Sequence, residues 1–215
     1  MTSRVDLVVF DVGSVLVEAG RTLADDFAIA GYSLTPEWIA AYEVRVSAFP
    51  RPYLGAITIA AYAVMAAAAS DGALSVDEML RVMTGGFVRE YPGIARVFDA
   101  LEAAGVETAL LSNVHDGEWA RLFPDGGIAP DFPTLARAHH RFASHLIRAR
   151  KPDPRAYLHV EEQTGRAPQE IVFFDDREEN VVAARERGWT AELIDHRGDT
   201  AAQLMTWLRH HQVVA

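Results

Sequence analysis

The chain has 215 residues, a formal charge of −10 and a 50% hydrophobic composition, enough apolar material for one large domain or a core with a smaller insertion. The acidic balance leaves no electrostatic footprint for nucleic acid or an anionic membrane and points to a small-molecule partner. Cysteine is absent, which removes disulfides, thiolate metal sites and thiol nucleophiles. The start, Met1 to Arg4 followed by Val5 to Phe10, is too short for a signal peptide, and no apolar stretch is long enough to span a bilayer, so a cytoplasmic location is expected.

In chain order, Leu7 to Phe10 is a short apolar run that ends on Asp11, the pattern of a strand buried on both faces. Helical segments follow over Leu23 to Ala30, Pro36 to Ala48, Ile57 to Ala69 and Val76 to Val88, punctuated by Gly31, by Pro50 and Pro52, and by Asp71-Gly72. The alanine-rich third helix suits close helix packing. No strand is expected between the first one and residue 92, so this stretch reads as a helical insertion lying over the carboxyl edge of the sheet.

Tyr91-Pro92 opens a helix with Ile94, Val97, Phe98 and Leu101 on one face and Gly105 at its end. A second strand, Ala109 to Leu111, runs into Ser112, and a third, Ile171 to Phe174, runs into Asp175. Asp176 is placed to cap a helix with Glu178 and Glu179 in its first turn, Arg185 and Arg187 near its end, and Gly188 as its stop. The fold class is therefore α/β, a Rossmann-like parallel sheet with an inserted helical unit.

Ligands of open α/β sheets bind at the carboxyl ends of the strands, where Asp11, Ser112, Asn113, Asp175 and Asp176 all fall. Lys151, the one lysine against nineteen arginines, precedes Pro-Asp-Pro in a loop that can reach them. A compact ammonium lies between several oxygens where a planar guanidinium does not fit. Carboxylates, a hydroxyl, an amide and an ammonium at one edge form an uncommon combination.

Phe-Asp-Val-Gly-Ser-Val-Leu (10–16), Leu-Leu-Ser-Asn (110–113), Lys-Pro-Asp-Pro (151–154) and Phe-Phe-Asp-Asp-Arg-Glu-Glu-Asn (173–180) resemble the four ordered motifs of the haloacid dehalogenase (HAD) superfamily. The similarity is strongest to the branch holding sugar-phosphate phosphatases and the amino-terminal phosphatase domain of soluble epoxide hydrolase. It implies an α/β core over residues 1–14 and 90–215 and a helical cap over 15–89. The implied activity is Mg²⁺-dependent hydrolysis of a phosphomonoester on a small metabolite, such as a sugar phosphate. Asp11 is then the nucleophile that forms an aspartyl-phosphate. Asp11 and Asp176 with the Gly13 carbonyl are the implied Mg²⁺ ligands, with Asp175 and Asn180 beside them. Ser112 and the Asn113 amide would bind phosphoryl oxygens, and Lys151 would neutralise charge.

Gly13 stands where many phosphatases of this superfamily carry a second aspartate as general acid and base. A proton relay would then fall to Glu18, to His115 or to a substrate hydroxyl, and the plainer reading of His115 is a solvated loop residue. The alternatives are a dehalogenase, which keeps the aspartate nucleophile without needing a metal and against which the tandem Asp175-Asp176 weighs, and a non-catalytic binding or regulatory relative that has lost its acid at Gly13. Ser144 and Lys151 have the spacing common in relatives, but Arg148 replaces an intervening glycine, so the loop is expected to differ. His139, His140 and His145 crowd the same region beside Arg141 without a clear ligand spacing and read as surface histidines. In the insertion, Trp38, Arg45, Arg51 and Tyr53 are the candidates for substrate choice, with packing and surface charge as the alternative.

Overall fold

The computed structural model describes residues 4–215; Met1 to Ser3, part of the start read as too short for a leader, lie outside the described residues. Five parallel strands form the central sheet: β1 (Leu7–Phe10), β4 (Glu107–Ser112), β5 (His140–Ala143), β6 (Ile171–Asp175) and β7 (Thr190–Leu193). Their spatial order is β5-β4-β1-β6-β7. The chain therefore leaves β1 in one direction and returns on its other side, which opens a crevice at the carboxyl end of β1.

Continuous apolar strands are needed because both faces are covered. Val8 and Phe10 of β1 join Leu110, Val172 and Phe174 in one cluster, while Leu7 and Val9 join Ala109, Leu111, Ile171 and Phe173 in another. This is the alternation of side chains along a strand. The first cluster lies under α5 (Ile94–Ala104) and α10 (Thr200–His210), the second under α8 (Pro154–Thr164) and α9 (Glu178–Glu186). Phe10 stacks between Phe98 and Phe174 at centroid separations of 5.8 and 5.6 Å.

The stretch after β1 holds α1 (Leu23–Ile29), α2 (Pro36–Val46), α3 (Ile59–Ala68) and α4 (Val76–Thr84). Thr22, Thr35, Thr58 and Ser75 cap them, each hydroxyl accepting a backbone N–H of the first turn. Their apolar faces form a third cluster of their own around Phe27, Tyr42, Ile59, Ala63, Ala66 and Met79.

Two expectations about this stretch fail. It contains strands: β2 (Val17–Ala19) pairs antiparallel with β3 (Phe87–Glu90). The fourth helix also stops at Thr84 and does not continue to Val88, because Gly85-Gly86 breaks it and Phe87 turns into the ribbon. The helix after β6 corrects a third. Its N-cap position is Arg177, and Asp176 makes no capping bond. No helix among the described residues is long and apolar enough to cross a membrane.

Candidate active site

Asp11 directly follows β1, and its N–H donates to the Phe174 carbonyl at 2.9 Å, so it stands at the sheet edge beside β6. The chain then folds back tightly. Leu16 and Val17 donate to the Val12 carbonyl, and Ser14 takes a left-handed φ of 63° while donating to the Val17 carbonyl. This turn brings Gly13 onto the wall of a cleft of about 340 Å³, together with Asp11, Ser112, Asn113, Asp176 and Asn180. A Cβ on Gly13 would sit 3.3 Å from the Phe87 ring and 3.4 Å from the Ala19 methyl. A side chain there would start in tight contact with the β2–β3 ribbon.

Lys151 is 1% exposed, and its ammonium lies 2.9 Å from Asp11 Oδ1 and 2.7 Å from Asp175 Oδ2. Such a buried charge is tolerable only when paired and hydrogen-bonded. Burial pulls its pKa down, but the Asp11 and Asp175 carboxylates outweigh that and hold the ammonium above its usual value. Asp175, with 0% exposure, also accepts from the Asn180 amide on both oxygens at 3.0 Å and from the Arg177 N–H at 2.9 Å. Its oxygens hold Lys151 and the start of α9 in place.

Asn113 has a different partner from the one the sequence suggests. Its side-chain amide donates to the Lys151 carbonyl and its Oδ1 accepts the Lys151 N–H, both at 2.9 Å. The side chain is a clasp on the lysine loop, and its amide keeps a second N–H at the cleft wall. The Lys151-Pro152 peptide in that loop is cis. Upstream lies α7 (Ser144–Ile147), ending on Arg148, which adopts a left-handed φ of 55°. The loop therefore keeps a glycine-like backbone despite the arginine, contrary to expectation.

Carboxylate oxygens of Asp11, Asp175 and Asp176 lie within 4.8 Å of one another. Burial pushes the Asp11 carboxyl up to about 7, Lys151 opposes the rise, and Asp175 and Asp176 add to it. Burial, then Asp175, also raises Asp176, against Arg21, Arg177 and Lys151. The Arg21 guanidinium sits 2.9 Å from Asp176 Oδ2. Asp11 and Asp176, the latter with a guanidinium already drawn onto it, are hard oxygen donors that fit a divalent cation such as Mg²⁺, while both oxygens of Asp175 are already taken by Lys151, Asn180 and the Arg177 N–H. Among the described residues no other group of side chains has metal-binding geometry, so His139, His140 and His145 stay without one. They bond instead to Thr108, to Glu107 and to the Val114 carbonyl.

His115 is neither solvated nor placed to relay a proton. It is 0% exposed and caps α6 (Asp116–Leu122), where Nδ1 accepts the Glu118 N–H at 3.3 Å and Nε2 donates to the Met83 carbonyl at 3.1 Å. Burial lowers its pKa to about 4, so the ring is neutral with both nitrogens engaged. Glu18 pairs with Arg89 at 2.8 Å on the ribbon and is not part of the cleft wall.

Of the four insertion candidates, Tyr53 alone lines the cleft. It belongs to the short 3-10 turn Pro52–Leu54, whose Gly55 has a φ of 66° and lies so close to the His145 carbonyl that a Cβ would meet it at 2.3 Å. Trp38 stacks on Tyr42 at 5.0 Å, and Arg45 lies over both rings and pairs with Asp71, which is packing and surface charge. Arg51 is exposed and outside the cleft. Residues that the sequence reading missed complete the wall: Arg21, Asp26, Met83, Gly86, Glu118 and Arg150. They sit in loops and helix starts with no motif to mark them.

A parallel sheet with acids and a buried lysine gathered at the carboxyl edge of its central strand defines a hydrolase fold of the HAD type. The chain belongs to the haloacid dehalogenase-like hydrolase family, which matches residues 5–188. It is 30% identical over 129 residues to Phosphatase MT3486 of Mycobacterium tuberculosis (strain CDC 1551 / Oshkosh), covering 60% of this chain and 57% of that one. Matches to the curated relatives span between 37% and 57% of those proteins' own lengths. The fold is similar to that of HAD family enzyme bt-2542 of Bacteroides thetaiotaomicron, solved as the wild-type protein in complex with magnesium and inorganic phosphate: TM-score 0.72, 20% identity, 93% of this chain and 98% of that one. It is also similar to L-2-haloacid dehalogenase of Xanthobacter autotrophicus, with TM-score 0.61, 19% identity, and coverage of 93% and 81%.

Proposed function

We propose that the protein is a Mg²⁺-dependent phosphomonoester hydrolase acting on a small phosphorylated metabolite through Asp11. The observation that carries this reading is the charge arrangement: one buried ammonium bonded to Asp11 and Asp175, with Asp176 in the same group of carboxylates. A tetrahedral dianion and a divalent cation complete such a site electrically. The phosphatases among the curated relatives and the structural neighbour holding magnesium and inorganic phosphate support the same class.

In this reading Asp11 and Asp176, with the Gly13 carbonyl, hold Mg²⁺, which when bound supplies charge neutralisation for the phosphoryl oxygens. An oxygen of Asp11 attacks phosphorus in line, the bond to the ester oxygen breaks, and the alkoxide takes a proton from water. Water then attacks the aspartyl-phosphate and releases orthophosphate, regenerating the Asp11 carboxylate. Lys151 stabilises the charge shared between Asp11 and the phosphoryl group, and the Ser112 hydroxyl donates to a phosphoryl oxygen. Asp175 positions Lys151 through the 2.7 Å bond, and Asn113 positions it through the peptide clasp.

Gly13 supplies no proton, and neither Glu18 nor His115 stands in for it, so good leaving groups should be favoured. Positioned proton transfer is worth roughly 10² to 10⁴ in rate. The test is phosphate release from a series of aryl phosphates with and without Mg²⁺, using Asp11→Asn as control. Expected are a dependence on the metal, a steep rise in rate as the leaving phenol becomes more acidic, and a loss of at least about 10³ in the variant. Equal rates for wild type and variant sink the proposal, and halide release in the presence of chelator would replace it with a dehalogenase.

A further inference from the structure

The cleft wall facing the strand ends carries a second, unassigned set of groups. Asp26 comes from α1, Tyr53 from the 3-10 turn and Glu118 from the first turn of α6. A Cβ built on Gly86 would lie 3.0 Å from Asp26 Oδ1 and 3.9 Å from Glu118 Oε1, so these two oxygens from distant segments face one spot.

Among the described residues neither oxygen pairs with a lysine or an arginine. Among the described residues the Asp26 side chain accepts no hydrogen bond and pairs with no cation; its pKa rises to about 6 through burial and then Asp25. Glu118 is 8% exposed, with Oε2 accepting the His115 N–H at 3.2 Å and Oε1 left free among the described residues. Its pKa rises to about 8 through burial, and Asp26 adds to the rise. The one guanidinium that acts on it, Arg121, is spent on the Thr84 carbonyl and Asp131. The neighbouring His115 is neutral. Tyr53 lines the same wall with its ring 5.1 Å from that of His115, and Glu118, then burial, raises its pKa. Glu118 is held at the cleft wall by the His115 N–H through one oxygen while the other has no protein partner among the described residues, a position that a cation arriving with the ligand would fill.

We propose that Asp26 and Glu118, with the Tyr53 hydroxyl, form the cleft's recognition site for a protonated primary amine on the leaving group, making the substrate an amino-bearing phosphomonoester. An ammonium brings three donors and one positive charge, which lets Glu118 give up the proton it holds in the free protein and accept as a carboxylate beside Asp26, whereas a hydroxyl brings one donor and no charge. The phosphate end of this assignment rests on the phosphatase reading above. The amine end rests on the acid pair alone.

The experiment separates the two. In the Asp11→Asn protein, calorimetry compares matched ligands that differ only in the amine: 2-aminoethyl phosphate against 2-hydroxyethyl phosphate, and glucosamine 6-phosphate against glucose 6-phosphate. At least one amino phosphate should bind tenfold or more tightly than its hydroxyl partner, and Glu118→Gln or Asp26→Asn added to this background should bring the ratio towards one. Equal binding within both pairs, or a ratio that survives both substitutions in folded protein, overturns the inference. Phosphate release by wild type from aryl phosphates without amine discrimination sinks the inference and spares the phosphatase reading. Amine discrimination in a protein that hydrolyses no phosphate ester does the reverse.

Discussion

At the scale of single residues, the lone lysine is the point where composition and chemistry meet. Lys151 is enclosed by two carboxylates, and its ammonium also lies 5.3 Å from the centroid of the Phe173 ring. Lys151→Arg keeps the charge but forces a larger planar group into a filled space, which overpacks the site and moves Asp11. Turnover should fall by about 10² to 10³, the usual size of a lost transition-state contact, while the far-ultraviolet spectrum stays unchanged. Retained turnover would mean that a simple positive charge suffices. Arg21 makes the opposite case. Its guanidinium sits on Asp176, where it competes with a divalent ion, so Arg21→Ala should tighten Mg²⁺ binding several-fold by calorimetry. An unchanged affinity would mean that the pair opens without cost. Lys151 was legible because its motif fixes its neighbours in sequence. Arg21 was not, because nothing local to residue 21 says that the chain returns it to the end of β6.

At the scale of elements, the three strands read from the sequence were legible because a strand buried on both faces is an unbroken apolar run with a polar stop. The ribbon β2–β3 was not. Val17–Ala19 has only three residues, too few for a periodic signal, and Phe87 extends the helical spacing of Met79 and Met83, so the glycine pair at 85 and 86 was the one available mark of a break. Helix α6 was equally hidden. Its cap is a histidine, and its third residue, Glu118, reaches back to the His115 N–H. That glutamate yields a prediction whose sign follows from its raised pKa of about 8. The folded state holds the proton where an unfolded glutamate has already lost it, so stability falls as pH rises from about 4.5 towards 8. Glu118→Gln keeps the capping acceptor and removes the buried charge. The variant should match wild type near pH 4 and exceed it near pH 9 by on the order of a few kcal/mol, since a displaced pKa is worth about 1.4 kcal/mol per unit. Urea melts at the two pH values check this, and an equal difference at both would assign the effect to packing.

At the scale of the whole molecule, the candidate site lies between two bodies of packed apolar side chains. The sheet and the helices around it bury two clusters, one on each face, while α1 to α4 bury a third. The bonds that tie the helices to the rest of the chain include the Ile59 N–H to Asp116 at 2.8 Å, the His115 ring to the Met83 carbonyl at 3.1 Å and Arg121 to the Thr84 carbonyl at 2.7 Å. Local openings follow such divisions of the core. Tyr42 is 1% exposed at the centre of the third cluster, stacked on Trp38, with its hydroxyl donating to the Ala66 carbonyl at 3.1 Å. Tyr42→Ala removes a large aromatic and orphans that carbonyl, a change that costs about 3–5 kcal/mol in a packed core. If the helices open as a unit, amide exchange should accelerate across α1 to α4 while β1, β4 and β6 keep their protection. Because Asp26 and Tyr53 leave with the helices and Asp11, Lys151 and Asp176 remain on the sheet, the same variant should lose discrimination between amino and hydroxyl phosphates before it loses Mg²⁺ binding. Uniform loss of protection through the sheet would show one cooperative core, with substrate choice and metal binding failing together.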